Sequence, residues 1–302
     1  MTESVAIVIP CYDCSGTLKR AIDSVVNQSI NINEIIVVDD CSKDAHKISD
    51  ICSEYKLVKY VRNQKNLGLA GARNVGLWSA KSTVISFLDA DDQYHQKKLE
   101  IQLNFLNNKC AVSTDFLSVQ EGSIVKTKFK ISDNPTTKIF SSPYQNLFFN
   151  KLVGSSVMIH TKTLRDMGGY DENLRSVEDF DLWLRLLSNN ISICTVKIPL
   201  YLYYDNANSL SKDTIAIWNN MSVVISKFMD YQHIPRKGII GSCIWAILIS
   251  KECIKAEASK NNKLKKILLL SISEKISFSI CRYIIIFLFR FNIFKAISFL
   301  FR

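Results

Sequence analysis

An apolar stretch that ends in a cluster of acidic residues limits what this chain can fold into. Val84 to Leu88 is apolar apart from one serine, a composition typical of a strand buried on both faces of a sheet. Asp89, Asp91 and Asp92 follow at once. Clustered carboxylates resist burial, and a divalent cation shared with a phosphorylated ligand would offset that cost. The alternative interpretation is a solvated turn in which an aspartate caps the next helix.

Strands and helices alternate in the first third of the chain at the spacing of βαβ units, which form a mostly parallel sheet with helices on both faces. We therefore expect an α/β, Rossmann-like fold. Apolar runs predict strands at Val5–Ile9, Ile35–Val38, Leu57–Val61 and Val84–Leu88. Helical spacing predicts helices after Thr17, around Ile48–Tyr55, at Leu69–Ala80 and at Tyr94–Leu106.

Shorter elements are predicted beyond residue 110, and we place a domain boundary after residue 213. The domain of residues 1–213 would be α/β, and residues 214–302 would form a helical region. The shorter elements are alternating strands within 111–130 with a hairpin at Glu121-Gly122, a loop at 132–143, a strand at Ser156–His160, a short helix from Thr161, a helix starting at Asp179, and strands at Ile191–Val196 and Ile198–Tyr204.

Polar side chains follow three of the predicted parallel strands. Because ligands bind beyond the carboxyl ends of such strands, we expect these side chains to form one site. They are Tyr12 and Asp13, then Asp39 and Asp40, then Asp89 and Asp91. Taken alone, Asp39-Asp40 could be only a turn and a helix cap.

Five motifs in the same order resemble those of the family 2 inverting glycosyltransferases, which have the GT-A fold. The resemblance runs from Val5 to about Ser211. The motifs are Val8-Ile9-Pro10-Cys11-Tyr12-Asp13, Ile36-Val37-Val38-Asp39-Asp40-Cys41-Ser42, Asn66-Leu67-Gly68-Leu69-Ala70-Gly71-Ala72-Arg73-Asn74, Asp89-Ala90-Asp91, and Gly168-Gly169-Tyr170-Asp171-Glu172 followed by Glu178-Asp179. Cys41 stands where relatives usually carry glycine.

The resemblance implies a binding site for a UDP-sugar donor. Pro10, Tyr12 and Asp13 would line the base and ribose pocket, and Asp40 would accept a hydrogen bond from uracil. Gly68 belongs to the same nucleotide-sugar site, although it could equally be a loop glycine.

The resemblance further implies where the diphosphate, the metal and the donor sugar lie. Arg73 would hold Asp89 or the diphosphate. Asp89 and Ala90 would contact the ribose or the donor sugar, and Asp91 would hold Mn²⁺ or Mg²⁺ on the diphosphate.

Asp179 would be the general base that deprotonates the acceptor hydroxyl, with Gly154, Glu178 and Asn206 near the acceptor or donor sugar. Glu178 could instead be a solvated charge at a helix start. Many relatives carry Y-R-x-H at residues 203–206, where this chain has Tyr204 and Asn206. Asparagine is a poor ligand for a transition metal, so we expect the metal to depend on Asp91, the diphosphate and water.

The nine cysteines have no regular spacing, which favours reduced thiols in the cytoplasm over a disulfide framework. Cys11 and Cys14 form one C-x-x-C motif, and no second feature supports a redox role. The first residues do not have the pattern of a signal peptide.

The net charge of +10 lies in the last 72 residues, because residues 231–302 carry 13 Lys and Arg and three acidic residues. Within Ile276–Arg302 the longest charge-free run, Tyr283–Phe289, has seven residues, well below the ~18 of a spanning helix. The mixture of cations with Ile, Phe and Leu predicts a segment lying on an anionic membrane surface rather than on nucleic acid. Docked helices that complete the core are the alternative.

We therefore expect a cytoplasmic enzyme attached peripherally to the inner face of the cell membrane, using a lipid-linked saccharide acceptor of the polyprenyl diphosphate kind, as in bacterial surface polysaccharide synthesis. Two rivals are weaker. A phospho-receiver module also has an apolar strand ending in Asp-Asp, but it would leave the later motifs unexplained. A dehydrogenase would need G-x-G-x-x-G after the first strand, and residues 10–16 lack it.

We predict that a variant lacking residues 270–302 moves from the membrane fraction to the soluble fraction, because it loses the apolar and cationic residues that would bind lipid. Fractionation of cells by ultracentrifugation tests this expectation. Membrane association equal to that of the full chain would contradict it.

Overall fold

The computed structural model describes residues 3–120, 135–143, 152–205 and 213–232. The chain divides into two compact units, Met1–Leu210 and Ser211–Arg302.

The first half of unit one is the predicted run of βαβ units. Its elements are β1 (Val5–Cys11), α1 (Leu18–Val26), β2 (Glu34–Asp39), α2 (Ala45–Ser53), β3 (Val58–Arg62), α3 (Gly68–Ser79) and β4 (Val84–Phe87). Strands β3, β2, β1 and β4 lie side by side in that order and pair in parallel.

The second half of unit one continues the same sheet. Its elements are β5 (Gln93–Tyr94), α4 (Lys98–Leu103), β6 (Cys110–Gln120), β7 (Thr137–Phe140), a 3₁₀ turn (Gly154–Ser156), β8 (Met158–His160), α5 (Thr161–Asp166), α6 (Glu178–Ser188) and β9 (Ser192–Asp205). Beyond β4 the strands lie in the order β8, β6, β9, β5, and β7 also pairs with β9.

The sheet is mixed, which corrects the prediction of a mostly parallel one. Strand β8 runs antiparallel to both β4 and β6, and β5 and β7 run antiparallel to β9. A helical crossover forces its two strands to be parallel, but β4 and β8 are not joined by one. Hydrophobic periodicity gives the position of such a strand and not its direction.

Several predicted boundaries were also wrong. One long strand, β9, replaces the two closing strands, and its Pro199, which has no N–H to donate, falls where the pairing with β6 shifts register at Asp115. Strand β7 lies inside the predicted loop 132–143. Helix α4 starts at Lys98 because Gln93 and Tyr94 pair with β9 instead. The predicted hairpin at 121–122 lies outside the described residues.

Helices cover both faces of the sheet. Alternate residues of β1 point to opposite faces, so Ile7 and Ile9 share one apolar cluster with α1 and α2. Ala6 and Val8 share the other with α3, α5 and α6. Trp183 of α6 is 1% exposed, as expected for a core residue.

Cys11 and Cys14 are joined by a disulfide, contrary to the expectation of reduced thiols. The turn after β1 brings their Cα atoms to 5.7 Å, within the range that a disulfide spans. Cys41, Cys52, Cys110 and Cys194 are free thiols among the described residues.

The described part of unit two is one helix, α7 (Thr214–Tyr231), at the place where the sequence predicts one. The Asp213 side chain accepts hydrogen bonds from the backbone N–H groups of Ile215 and Ala216 and caps the helix. No helix within residues 3–120, 135–143, 152–205 and 213–232 meets the length and hydropathy of a membrane span. The predictions for residues 239–302 lie outside the described residues.

Gly76 sets the distance between α3 and β1, and we predict that Gly76→Ala destabilises the protein. A Cβ at this position would lie 2.2 Å from Cγ1 of Val8, so overpacking should cost ~1–3 kcal/mol. That cost exceeds the ~1 kcal/mol by which alanine normally favours a helix. Urea unfolding measures the difference. Gly16→Ala is the control, because nothing lies within 4 Å of its added Cβ; a Gly76→Ala protein as stable as this control would contradict the prediction.

Candidate active site

The loops after β1 and β2 interlock. Ser42 Oγ accepts a hydrogen bond from the backbone N–H of Asp13 at 2.9 Å, and Asp13 Oδ1 accepts one from the backbone N–H of Lys43 at 2.7 Å. Cys41 has a φ of +66°, a conformation that favours glycine. Tyr12 is half exposed beside this junction. The structure thus brings the two predicted nucleotide loops together.

Asp39 and Asp40 are both buried and serve different neighbours. Asp39 accepts hydrogen bonds from Tyr60 Oη at 2.6 Å and from the backbone N–H of Ser42 at 2.8 Å. It is 0% exposed, whereas a phospho-acceptor aspartate must reach a phosphoryl donor. This burial argues against the phospho-receiver module.

Asp40 holds the start of helix α3. Its two carboxylate oxygens accept hydrogen bonds from the backbone N–H groups of Leu67 and Gly68, at 2.8 and 2.7 Å, and Asn63 Nδ2 donates to it at 2.8 Å. A negative charge is favoured at a helix N-terminus. Gly68 has a φ of +79°, so the turn requires glycine there. The uracil contact of Asp40 stays a prediction.

Arg73 lies at the centre of the second group of predicted residues. Its guanidinium is buried, with Nη1 donating to Glu178 Oε1 at 2.5 Å and Nη2 donating to Asp89 Oδ1 at 2.9 Å. Nη2 also donates to Ser155 Oγ at 3.0 Å. Although burial alone would lower the pKa of Arg73, the neighbouring Asp89 and Glu178 raise it above its usual value. Glu178 is therefore a buried ion-pair partner and not a solvated charge.

Asn74, the next residue of α3, fixes the G-G-Y-D-E motif. Its Oδ1 accepts the backbone N–H of Tyr170 at 2.8 Å, and its Nδ2 donates to the Tyr170 carbonyl at 2.9 Å. Gly169 has a φ of +72°, and a Cβ there would lie 2.5 Å from Asn74 Oδ1. Arg185 of α6 donates to the Gly169 carbonyl from the other side at 2.8 Å. These contacts bring the third and fifth motifs together.

The acidic residues after β4 separate into different environments. Asp89 and Asp91 are partly exposed, whereas Asp92 is 1% exposed and accepts hydrogen bonds from Tyr201 Oη and from the backbone N–H of Tyr204. Burial, together with the charges of Asp89 and Asp91, raises the pKa of Asp92 to about 8. Asp92 is thus a structural residue that joins this loop to β9.

Asp179 is the second residue of α6, two positions after Val177, whose φ of +57° is strained for a β-branched residue. Its Oδ1 accepts the backbone N–H of Phe180 at 2.6 Å. Burial and the charge of Glu178 raise the pKa of Asp179 to about 7, against the opposite effect of Arg73. A Cβ on Gly154 would lie 3.0 Å from Asp179 Oδ2, so glycine lets the 3₁₀ turn approach this carboxylate.

The predicted site residues therefore form two groups, and helix α3 contacts both of them. One contains Asp13 and Asp40, and the other contains Arg73, Asp89 and Asp179. Asn206 lies outside the described residues. Among residues that the structure does describe, no three of the His, Cys, Asp and Glu type are grouped to hold a metal ion.

Sequence reasoning missed two residues that hold the site. Ser155 is a hydrogen-bond partner of Arg73, and no motif marked it. Arg20 of α1 donates to the Asp91 carbonyl at 2.5 Å. The sequence does hold one indication of the role of Arg20. It lies on the side of α1 opposite the apolar stripe, four residues before Ser24, so these two polar side chains share a face that could contact another segment.

Comparison with known proteins identifies the family. The model of Glycosyl transferase family 2 matches residues 6–167, more than half of the chain. The chain belongs to glycosyl transferase family 2. The matched region contains the loops after β1 and β2, the Asn66–Asn74 segment and Asp89-Ala90-Asp91, which confirms the resemblance read from the motifs.

Two curated relatives show how far the similarity to this family 2 chain extends. An uncharacterized glycosyltransferase of Rickettsia felis is 32% identical over 190 residues, which are 62% of this chain and 30% of the relative. The chain thus matches about a third of that relative's length. The Escherichia coli UDP-Glc:alpha-D-GlcNAc-diphosphoundecaprenol beta-1,3-glucosyltransferase WfaP is 30% identical over 213 residues, which are 69% of this chain and 80% of WfaP.

Solved structures confirm the GT-A fold of this family 2 chain. The structure of S. aureus TarS 1-349 in complex with UDP-GlcNAc superposes with a TM-score of 0.59 at 17% identity, covering 75% of this chain and 66% of TarS. The shared architecture is an α/β fold with a mixed sheet and flanking helices.

We predict that Asp179→Asn stabilises the protein at pH 8 but not at pH 4. The pKa of Asp179 is about 7 in the folded protein and ~3.9 in an unfolded chain, so the folded state binds the proton more tightly. Ionisation therefore lowers stability progressively as the pH rises from about 4 to 7. Asparagine removes that penalty, which reaches up to ~4 kcal/mol at pH 8.

Urea unfolding at the two pH values measures this difference. Asp166→Asn is the control, because Asp166 is an exposed carboxylate paired with Lys162 at a distance of 2.6 Å. A gain for Asp179→Asn that is the same at both pH values would contradict the prediction.

Proposed function

We propose that this protein is a metal-dependent inverting glycosyltransferase that moves a hexose or N-acetylhexosamine from a UDP-sugar to a hydroxyl group of a lipid-linked saccharide. The observation that carries the proposal is that Asp179 has a pKa of about 7. Asp179 is next to Glu178, which forms an ion pair with Arg73, and Arg73 also binds Asp89. A base with this pKa is matched to proton transfer near neutral pH.

Asp179 would take the proton of the acceptor hydroxyl while that oxygen forms its bond to the anomeric carbon. The bond from that carbon to the UDP oxygen breaks in the same step, and the electron pair leaves with UDP. Attack opposite the leaving group inverts the anomeric centre without an enzyme nucleophile. Gly154 would leave room for the acceptor oxygen, because any side chain there would meet Asp179.

The donor half of the proposal is supported by relatives and by the loops after β1 and β2. TarS has been crystallised with UDP and with UDP-GlcNAc, and WfaP is named for UDP-Glc. Here Tyr12 is exposed above the loop held by Asp13 and Ser42, where it could stack on the base. Asp89, held by Arg73, would contact the ribose or the donor sugar.

A divalent cation would supply charge neutralisation for the departing diphosphate. Carboxylate oxygen suits Mg²⁺ or Mn²⁺. Asp91 is partly exposed, as is Asp89, but Asp89 is paired with Arg73, and Asp92 is buried. Asp91 with the diphosphate oxygens and water would complete the coordination. Arg73 would hold the Asp89 carboxylate through its ion pair at 2.9 Å.

The acceptor half rests on chemistry found in relatives. WfaP is named for a diphosphoundecaprenol-linked GlcNAc, and TuaG of Bacillus subtilis, 30% identical over 223 residues, for teichuronic acid biosynthesis. A polyprenyl diphosphate acceptor lies in the membrane. The 13 cations of residues 231–302 would place the enzyme peripherally on the inner face of the cytoplasmic membrane, in surface polysaccharide synthesis such as that of O-antigen or capsule.

The test is release of UDP from a panel of UDP-sugars, with and without Mn²⁺, by the wild type, Asp91→Ala and Asp179→Asn. We expect metal-dependent release from one sugar. Asp91→Ala should lose it ~10–100-fold through weaker metal binding. Asp179→Asn should bind UDP normally but lose transfer to an added polyprenyl diphosphate saccharide by at least ~10²-fold.

Asp50→Asn is the matched control, because Asp50 is an exposed carboxylate on α2. It should behave as the wild type does. If calorimetry showed no binding of UDP but binding of another nucleotide sugar, the donor in this proposal would be wrong and that nucleotide sugar would take its place. Full transfer by Asp179→Asn would remove Asp179 from the role of base.

A further inference from the structure

Helix α1 presents a polar stripe toward the acidic segment after β4. Arg20 and Ser24 stand four residues apart in α1 and so lie on one face of the helix. Gln28, two residues beyond the end of α1, continues this spacing and completes the polar stripe. The apolar residues Leu18, Ile22 and Val25 of the same helix are fully buried. The polar stripe is therefore a second contact surface of α1, separate from its contribution to the core.

Arg20 contacts the loop of residues 89–92 that follows β4. Its Nη2 donates to the backbone carbonyl of Asp91 at 2.5 Å, and its guanidinium lies 3.7 Å from the centre of the Tyr204 ring. Tyr204 in turn donates its backbone N–H to Asp92 at 2.7 Å. Arg20 is thus seated between the loop and the end of β9.

Ser24 and Gln28 hold the residues that follow. Ser24 Oγ accepts the backbone N–H of Tyr94 at 3.1 Å. Gln28 donates from Nε2 to the His95 carbonyl at 2.9 Å, and its Oε1 accepts the backbone N–H of Leu99 at 3.1 Å. All of these contacts are to the backbone, so the stripe fixes the path of the chain from residue 91 to residue 99.

We propose that Arg20 is a positioning residue of the donor site, which holds the loop so that Asp91 is fixed where a metal–diphosphate binds. The inference rests on the proposed function. The loop carries three carboxylates and is held from two sides, with Arg73 on Asp89 and Arg20 on the Asp91 carbonyl. Arginine suits this place because its planar group can stack on Tyr204 while it donates a hydrogen bond.

The experiment compares the wild type with Arg20→Gln, Arg20→Lys and Lys19→Gln. Lys19→Gln is the matched control, because Lys19 is the adjacent cation on α1 and pairs with Glu54 at 3.0 Å instead. Calorimetry gives the affinity for UDP in EDTA and the affinity of the UDP complex for Mn²⁺. Hydrogen exchange of a peptide covering residues 89–95 reports how firmly the loop is held.

We expect Arg20→Gln to weaken Mn²⁺ binding about tenfold, to leave UDP affinity in EDTA unchanged, and to speed exchange in residues 89–95. Arg20→Lys should be intermediate, because lysine can donate to the carbonyl but cannot stack as guanidinium does. Lys19→Gln should match the wild type. We also expect the KM for the donor to rise in Arg20→Gln, although its affinity for UDP in EDTA is unchanged.

Two results would overturn the inference. The first is an Arg20→Gln protein with a lower melting temperature but with wild-type Mn²⁺ affinity and exchange, since Arg20 would then act on stability alone. The second is faster exchange with unchanged Mn²⁺ affinity. If the wild type bound no UDP with or without Mn²⁺, the proposed function itself would be wrong. That result differs from both results above, in which the wild type binds UDP and only the role of Arg20 is contradicted.

Discussion

The buried guanidinium of Arg73 is the interaction on which the rest of the site depends. A buried cation is tolerated only when anionic and polar partners surround it. Its partners here, Asp89, Ser155 and Glu178, belong to three separate segments, and Glu178 is 105 residues away in the chain. Because loss of one partner leaves charge unbalanced in a site of low polarity, the loop after β4, the 3₁₀ turn and the start of α6 are fixed relative to one another.

Helix α3 carries this constraint to the other half of the site. Its first backbone N–H groups bind Asp40, and its middle carries Arg73 and Asn74. Gly76 lets the helix pack closely against β1, so the residues that make these contacts are positioned by the sheet. One helix therefore sets the distance between the loops that would bind the nucleotide and the carboxylates that would act on the sugar.

The sequence predicts the first four strands well because short βαβ units give clear periodicity and a single direction. It does not predict the second half equally well, since the directions of β6, β8 and β9 come from contacts between distant segments. The site shows the same division. The family resemblance implied that Arg73 holds Asp89 or the diphosphate, and the structure shows the contact with Asp89. Ser155 and Arg20 act through contacts with residues 82 and 71 positions away in the chain, which no local pattern contains.

Adjacent acidic residues in the motifs have different environments in the structure. A sequence motif does not show this difference, although it decides the chemistry of each carboxylate. Asp91 stays partly exposed while Asp92 is buried against Tyr201. Glu178 pairs with Arg73, while Asp179 next to it keeps a raised pKa. Since Glu178 raises that pKa and Arg73 lowers it, the ion pair between them also moderates the basicity of Asp179. The same guanidinium that fixes the geometry of the site therefore tunes the group that would accept the proton.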